Sequence, residues 1–275
     1  MRQANVCFTW LIMALVILLP LGYVTFASFE QGWSGFYESI TRTEALHAFK
    51  TSFIIVAIVT VLNVIVGVYL SLELVRGRWL SKWIKPFVNA MVDLPFAVSP
   101  VIGGLMIILL FGPETILGTF FQTMGIDIVF ALPGMVMATL FVTFPFVVRE
   151  VAPVLEEIGN DAEEASRMLG ASPQRTFWKI TFPTIQWAVF YGGVLTIARA
   201  LGEFGAVLVV SGNIINQTQT ATTLVYQDAD NFNLIGANSI ALVLGLISVA
   251  ILLILQGIKH RREVHLNGHS SQKPA

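Results

Sequence analysis

Three charged side chains lie inside long apolar stretches of the sequence: Asp93, Arg199 and Glu203. A charge within a membrane segment costs about 2.5–3.5 kcal/mol on insertion scales, so each of them needs a partner. Arg199 and Glu203 are four positions apart, which places them on one helix face where they can pair. Arg199 offers positive charge to a passing anion, and Glu203 would keep that site weak enough to release it. Together with Ser99, these three residues form a candidate translocation path.

The same residues have a purely structural interpretation. Arg199 and Glu203 could lock their own segment against the segment that contains Asp93, without touching a substrate. Pro95, Pro100 and several glycines in the same segments fit either broken helices that line a cavity or close helix packing. The sequence leaves both interpretations open.

Chemistry based on a metal or a bound nucleotide finds no support in the sequence. The motif His-Glu-x-x-His is absent, and the four histidines lie outside the apolar stretches: His47, His260, His265 and His269. No Gly-x-x-x-x-Gly-Lys-Ser/Thr occurs, so these residues supply no P-loop for ATP. The sequence therefore predicts a protein that is not an enzyme, carries no cofactor and takes its energy from a partner.

The composition is that of a membrane protein. Of the 275 residues, 55% are hydrophobic and 12% are charged, against about 25% charged residues in an average soluble domain. A spanning helix needs about 20 mostly apolar residues. Because the first apolar stretch has no cleavage site, we interpret it as a retained helix. We predict an all-α integral membrane domain over residues 1–275 with six transmembrane helices: 8–29, 51–73, 86–111, 128–148, 187–212 and 237–258.

The distribution of Lys and Arg predicts the orientation. Positive residues precede the first stretch and follow the second, the fourth and the sixth, whereas only Arg42 and Lys50 lie on the other side. The positive-inside rule then places both termini in the cytoplasm. The polar tail 261–275 is expected to be disordered.

The segment 149–186 is the longest and most charged loop on the cytoplasmic side, and it predicts two short helices. Asn160 or Asp161 can cap the first helix, and Glu163 would complete a capping box. Gly170 suits the position just after this helix ends. From charge alone, the loop could equally be a solvated connector.

A serine and a proline, Ser172 and Pro173, supply the N-cap and the first turn of the second helix in this loop. This helix is predicted to stop at Pro183, because proline disrupts a helix interior. The two helices together predict a helix-turn-helix that projects from the membrane domain.

The spacing within this loop matches a known pattern. Glu164-Ala165-Ser166, three residues, Gly170, nine residues and Ile180-Thr181-Phe182-Pro183 resemble the EAA loop of binding-protein-dependent ABC importer permeases. That loop has alanine where Ser166 stands and leucine where Phe182 stands, and both exchanges keep a small or an apolar side chain.

The resemblance implies a type I ABC importer (MetI-like) permease fold, in which this loop forms a coupling helix that docks into a cleft on the ATP-binding subunit. Small side chains on one face of that helix allow close approach to the partner, and glycine permits a sharp turn after it. The residues that the resemblance assigns to coupling are Glu163, Glu164, Ala165, Ser166, Gly170, Ile180 and Pro183.

The resemblance extends over residues 86–258 and favours one branch of the family. Asp93–Pro100, Pro145–Glu150 and Ala198–Val207 look like motifs of W-type sulfate permeases. Molybdate and tungstate permeases share a relative of the last motif, so they remain the alternative. Ala97–Pro100 favours sulfate or thiosulfate.

The partners implied by the resemblance are a second permease of the T type, a dimer of ATP-binding subunits that holds ATP and magnesium, and a periplasmic or lipid-anchored sulfate-binding protein. The implied location is the bacterial plasma (inner) membrane, as a multi-pass protein among lipids with no role for nucleic acid. Whether the second permease is another copy of this chain stays open. A secondary anion carrier would be expected to contain inverted repeats, and the sequence shows no self-similar halves.

Overall fold

The structure, a computed structural model, describes residues 8–10, 12–77 and 83–270, with side chains described as far as residue 258. The described residues form helices and connecting turns. In chain order we number the helices as follows: α1 Phe8–Ser28, α2 Gly32–Thr41, α3 Thr43–Val75, α4 Ile84–Ala97, α5 Pro100–Phe111, α6 Ile116–Thr123, α7 Leu132–Thr143, α8 Pro145–Ile158, α9 Asp161–Met168, α10 Pro173–Leu201, α11 Gly205–Ser211, α12 Ala221–Asp230 and α13 Leu234–Ser270.

Four of these helices are long and apolar enough to cross a membrane by length and composition: α1, α3, α10 and the part of α13 up to Ile258. Two bent pairs, α4 with α5 and α7 with α8, raise the number to six if each pair counts as one span. The all-α fold class is therefore confirmed. Each of the six predicted stretches overlaps one of these helices or pairs.

The predicted stretch 86–111 is not one straight helix. α4 ends at Ala97 and α5 begins at Pro100, and the chain bends by 111° between the two helices. Val98 and Ser99 between them are extended, with ψ angles of 133° and 136°. A proline disfavours the α conformation of the residue before it, and this accounts for the extended Ser99. Pro100 then occupies the first turn of α5, where its missing N–H costs no hydrogen bond.

The helix that contains the start of the fifth predicted span, 187–212, also differs from the prediction. The predicted helix stop at Pro183 is wrong, because α10 continues through that residue to Leu201. Its residues Phe177–Thr181 form a π-helical turn directly before Phe182 and Pro183. The wider turn relieves the clash between the proline ring and the carbonyl group one turn earlier. The remainder of the predicted stretch forms α11, after a break at residues 202–204.

Small residues let three helices approach one another closely around Val147 of α8. A Cβ atom on Gly67 of α3 would lie 2.7 Å from the Val147 Cβ, and one on Gly192 of α10 would lie 2.8 Å from its Cα. Val147 also belongs to a buried apolar cluster with Val151, Leu155, Val68, Ile185, Ala188 and Val189. Close packing at glycine is the common way for helices to associate in membranes.

The first and last long helices contribute little to this core. In the most apolar stretch of each helix, only 12% of α1 and 11% of α13 is buried. Apolar side chains such as Leu18 and Leu253 are therefore exposed. Such surfaces suit contact with lipid. α13 extends to Ser270, so the tail 261–275 that was predicted to be disordered begins within this helix, and 271–275 lie outside the described residues.

Candidate functional site

The helix α9 projects between two glycines with left-handed backbone conformations. Gly159, before the helix, has a φ of +70°, and Gly170, after it, has a φ of +81°. The Gly170 N–H donates to the carbonyl of Arg167 at 2.9 Å, and the Ala171 N–H donates to that of Ser166 at 3.1 Å. This pair of hydrogen bonds is a Schellman motif, and it confirms the predicted position of Gly170 just beyond the helix end.

The predicted capping of the loop helices is half correct. Ser172 caps the second helix, since its hydroxyl accepts a hydrogen bond from the Arg175 N–H at 3.3 Å. The capping box of the first helix is wrong. Asn160 is the N-cap residue but makes no side-chain capping bond. The Glu163 carboxylate contacts Thr181 and Arg76 and not the backbone N–H of Asn160.

Glu163 points into the protein rather than along its own helix. Its carboxylate accepts a hydrogen bond from the Thr181 hydroxyl at 2.9 Å and lies 3.5 Å from the Arg76 guanidinium. Arg76 in turn donates to the carbonyl of Gly159, and Arg167 lies 3.7 Å from the other Glu163 oxygen. Glu163, which was predicted among the coupling residues, is buried against Arg76 at the end of α3 and Thr181 within α10, whereas Glu164 and Ala165, predicted on the docking surface, are exposed.

The opposite side of α9 is open to its surroundings. Glu164 and Ala165 are exposed, and Ser166 is half-buried with its hydroxyl 3.1 Å from that of Thr176. Met168 and Leu169 at the tip are 86% and 89% exposed. The tip of this charged loop therefore carries two bulky apolar side chains that nothing else in the described part of the chain covers.

The other predicted coupling residues lie at the base of the loop. Ile180 is half-buried beside Glu163 at a small cavity, and Pro183 is exposed on the first α-helical turn after the π-helical segment. Sequence reasoning missed Met168, Leu169, Arg76 and Thr181. Of these four, only the first two carried a signal in the sequence, as an apolar pair within a charged segment.

The second group of predicted residues lies at the breaks in the bent helices. The Arg199 guanidinium is 2.8 Å from the Glu203 carboxylate, so the predicted pairing is confirmed. Glu203 is almost fully buried in the break after α10, and its other oxygen accepts a hydrogen bond from the Ala206 N–H at 2.9 Å. The Glu203 carbonyl group accepts another from the Thr222 hydroxyl at 2.7 Å.

Asp93 does not join this pair. Its carboxylate forms a two-pronged ion pair with Arg149, with 2.8 Å between Oδ1 and Nε. In the structural interpretation, Arg199 and Glu203 lock their segment against the segment that contains Asp93, but the Asp93 carboxylate itself takes no part in such a contact. Through this ion pair, Arg149 ties α8 to α4. Both side chains of this pair are substantially exposed.

A cavity of about 380 Å³ opens at the break between α4 and α5. Its wall consists of residues 95–100 together with Val142, Phe146 and Arg199. Two of the four predicted path residues, Ser99 and Arg199, thus face one cavity. Glu203 pairs with Arg199 but is not part of the cavity wall, and neither is Asp93.

Comparison with known proteins identifies the class. The family of binding-protein-dependent transport system inner membrane components matches residues 63–262. The chain belongs to this family and is a multi-pass membrane protein that serves as a transport component. A chain in the crystal structure of a bacterial alginate ABC transporter, in complex with its alginate pentasaccharide-bound periplasmic protein, shares the fold. Its TM-score is 0.77 at 16% identity, with 94% of each chain covered.

The curated relatives point to a particular branch. The sulfate transport system permease protein CysW of Synechococcus elongatus is 42% identical over 89% of this chain and 84% of its own length. The protein of the same name from Synechocystis sp. is 41% identical over 91% of this chain and 90% of its own length.

Proposed function

We propose that this chain is the permease subunit of an ATP-driven importer of sulfate or thiosulfate. It would form half of the transmembrane pathway, next to a second permease of the T type. The proposal rests on the motifs around Asp93–Pro100 and Ala198–Val207 and on relatives that are named as sulfate permeases.

The observation that supports coupling to an ATP-binding subunit is the shape of the loop around α9. A helix end fixed by a Schellman motif presents Met168 and Leu169 almost fully exposed, beside the small Ala165. Apolar side chains on a rigid projection gain free energy only when a partner covers them. The partner that this family of loops implies is a dimer of ATP-binding subunits, which would hold ATP and magnesium.

The cavity at the break between α4 and α5 is the proposed anion path. Arg199 contributes a guanidinium group that is 34% exposed on its side chain, while the buried Glu203 neutralises part of its charge. Ser99 adds a hydroxyl group to the same wall. A site of this kind attracts an anion without holding it tightly, as an importer requires, and selectivity can reside in a separate sulfate-binding protein.

The remaining assignments follow from the charge pattern. Lys and Arg concentrate in the loops that follow the second and fourth spans, so both termini and α9 would face the cytoplasm. The membrane would be the bacterial inner membrane. On the periplasmic side, a soluble or lipid-anchored binding protein would deliver the anion.

The mechanism that fits these parts is alternating access. Closure of the ATP-binding subunits on ATP would pull α9, turn the two permeases towards the periplasm and admit the anion, and hydrolysis would reset them. Moving one charge inward against 100 mV costs about 2.3 kcal/mol, so a dianion costs about twice that. A passive channel cannot supply this free energy.

The test is uptake of labelled sulfate by cells that lack this chain, rescued by the native sequence or by Gly170→Glu. We expect that deletion abolishes uptake, that the native chain restores it, and that Gly170→Glu reaches the membrane without restoring it. Loss of molybdate uptake with normal sulfate uptake would overturn the choice of oxyanion. Normal sulfate uptake by Gly170→Glu would overturn coupling through this loop.

A further inference from the structure

The helix α9 is attached to its neighbours by one buried side chain, Glu163, and by the half-buried Ser166, whose hydroxyl lies 3.1 Å from that of Thr176. Among the eight residues of this helix, Glu163 is the one that is buried. The other residues are exposed or half-buried. A coupling helix that must transmit a force is therefore fixed to the bundle by a carboxylate rather than by an apolar face.

The partners of that carboxylate come from two different long helices. Arg76 lies directly after the last residue of α3, and Thr181 closes the π-helical turn within α10. The Glu163 carboxylate accepts from Thr181 at 2.9 Å and pairs with Arg76 at 3.5 Å. Because Arg76 also donates to the Gly159 carbonyl, it holds the chain on both sides of the start of α9.

The backbone before α9 would otherwise allow this helix to swing. Gly159 and Gly170 have positive φ angles, and neither has a neighbouring atom within 4 Å of the place where a Cβ would stand. Open glycines of this kind are permissive positions in a chain. Without the contacts of Glu163, the side-chain link between α9 and α10 is reduced to the contact of the Ser166 and Thr176 hydroxyl groups at 3.1 Å, so α9 could tilt about Gly159 while its exposed face stayed docked.

The physical nature of the contact suits the transmission of movement. Apolar burial is non-directional, so a helix held by it alone can slide. The Thr181 hydroxyl donates a hydrogen bond of 2.9 Å to the Glu163 carboxylate, and hydrogen bonds to charged groups are directional, so this contact fixes the geometry. The Arg76 and Glu163 side chains are only 13% and 10% exposed, which shields their attraction from solvent.

We propose that Arg76 and Glu163 are positioning residues that make α9 move as one body with the end of α3 and the π-helical turn of α10. This inference rests on the proposed function, since it assumes that α9 receives movement from an ATP-binding partner. Its consequence is specific. Loss of the pair leaves docking and ATP hydrolysis in place but separates them from transport.

The experiment uses the complete transporter, with its ATP-binding subunits and binding protein, in sealed vesicles. The quantity measured is ATP hydrolysed per labelled sulfate taken up, for the native chain, Glu163→Ala and Arg76→Ala. We expect both variants to keep ATP hydrolysis within about twofold of the native rate and to raise the ratio about tenfold, within the range of measured coupling effects. The double exchange Arg76→Glu with Glu163→Arg restores the attraction and should lower the ratio again.

Glu157→Ala is the matched control, because it removes an exposed acidic side chain close to the same loop. It should leave the ratio unchanged. If Glu163→Ala does not reach the membrane, Glu163→Gln keeps the side-chain volume, removes the charge and decides the question by the same ratio.

Two results would overturn the inference. One is a native ratio in the variants of Arg76 and Glu163, and the other is a parallel loss of hydrolysis and uptake at normal membrane levels. Failure of the proposed function looks different, because the native transporter would then hydrolyse ATP without taking up sulfate.

Discussion

Arg199 and Glu203 form an ion pair at the break between α10 and α11, with 2.8 Å between guanidinium and carboxylate. The second Glu203 oxygen accepts the Ala206 N–H at 2.9 Å. One buried carboxylate thus connects the last turn of one helix to the first turn of the next. The break is therefore a structured feature of the fold.

The first prediction concerns the stability of this break. Glu203→Ala leaves Arg199 without its partner and should destabilise the protein by about 3 kcal/mol, at the lower end of the range for a broken buried pair. The lower end applies because the Arg199 side chain is about one-third exposed. The measurement is the apparent unfolding midpoint of purified protein in detergent. Glu203→Gln retains an acceptor for the Ala206 N–H and should unfold between the native chain and Glu203→Ala; equal midpoints for all three would contradict the prediction.

The second prediction separates the two interpretations of Arg199. Arg199→Ala should lower sulfate uptake about tenfold, equivalent to about 1.4 kcal/mol, because the cavity loses its positive charge. Arg199→Lys keeps that charge and should retain more uptake. Uptake is normalised to the amount of protein in the membrane.

The double variant Arg199→Ala with Glu203→Ala gives the decisive comparison, because it leaves no uncompensated buried carboxylate. We expect uptake to remain low in this variant. Recovery to the native rate would mean that the pair serves packing alone and that Arg199 does not contact the anion.

The third prediction concerns the crossing of α5 and α11. A Cβ atom on Gly104 would lie 2.6 Å from the Ala206 carbonyl oxygen and 3.2 Å from the Ala206 Cα. Since these are backbone atoms, they cannot give way as a side chain would. Gly104→Ala should destabilise the protein by about 1–3 kcal/mol, the usual cost of overpacking.

Gly245 in α13 provides the control for this substitution, because no atom lies within 4 Å of the place where its added methyl group would stand. Gly245→Ala should leave the unfolding midpoint unchanged or raise it, since alanine favours a helix by about 1 kcal/mol over glycine. An unfolding midpoint of Gly104→Ala at or above that of the native chain would contradict the prediction, because α5 and α11 could then move apart without loss of stability.

Much of this fold could be predicted from the sequence, because long apolar runs leave few alternatives in a membrane. The runs predicted six crossings, and the described residues contain four long apolar helices and two bent pairs. The Pro100 break was harder to foresee. Proline indicates that a helix can bend, but the angle of 111° depends on where α5 packs, and Gly104 meets α11 far away in the sequence.

The ion pairs show the same division between local and distant information. Arg199 and Glu203 were predicted to pair because they are four positions apart on one helix. Asp93 and Arg149 are 56 positions apart, and no local spacing could reveal their contact. Glu163 fits a capping-box pattern, yet its carboxylate contacts Arg76 from another helix. The ion pair with a residue distant in sequence therefore replaces the local capping bond.

The fourth prediction concerns the tip of the loop. Met168 and Leu169 are 86% and 89% exposed, so Met168→Ser with Leu169→Ser should leave the unfolding midpoint of the isolated chain unchanged. Burying one such side chain at an interface contributes about 1.5–3 kcal/mol. The double substitution should therefore weaken binding of the ATP-binding subunit by more than about tenfold. The measurement is a titration of detergent-solubilised transporter lacking that subunit.

Ile116 is the matched control for the loop tip, because it is 91% exposed but lies in the segment 112–127, predicted on the opposite side of the membrane. Ile116→Ser removes a comparable apolar side chain and should leave binding of the ATP-binding subunit unchanged. Native affinity in the Met168 and Leu169 variant would place the interface elsewhere on the loop, for example on Glu164 and Ala165. Equal weakening by Ile116→Ser would mean that the assay reports general exposure of apolar surface rather than docking of α9.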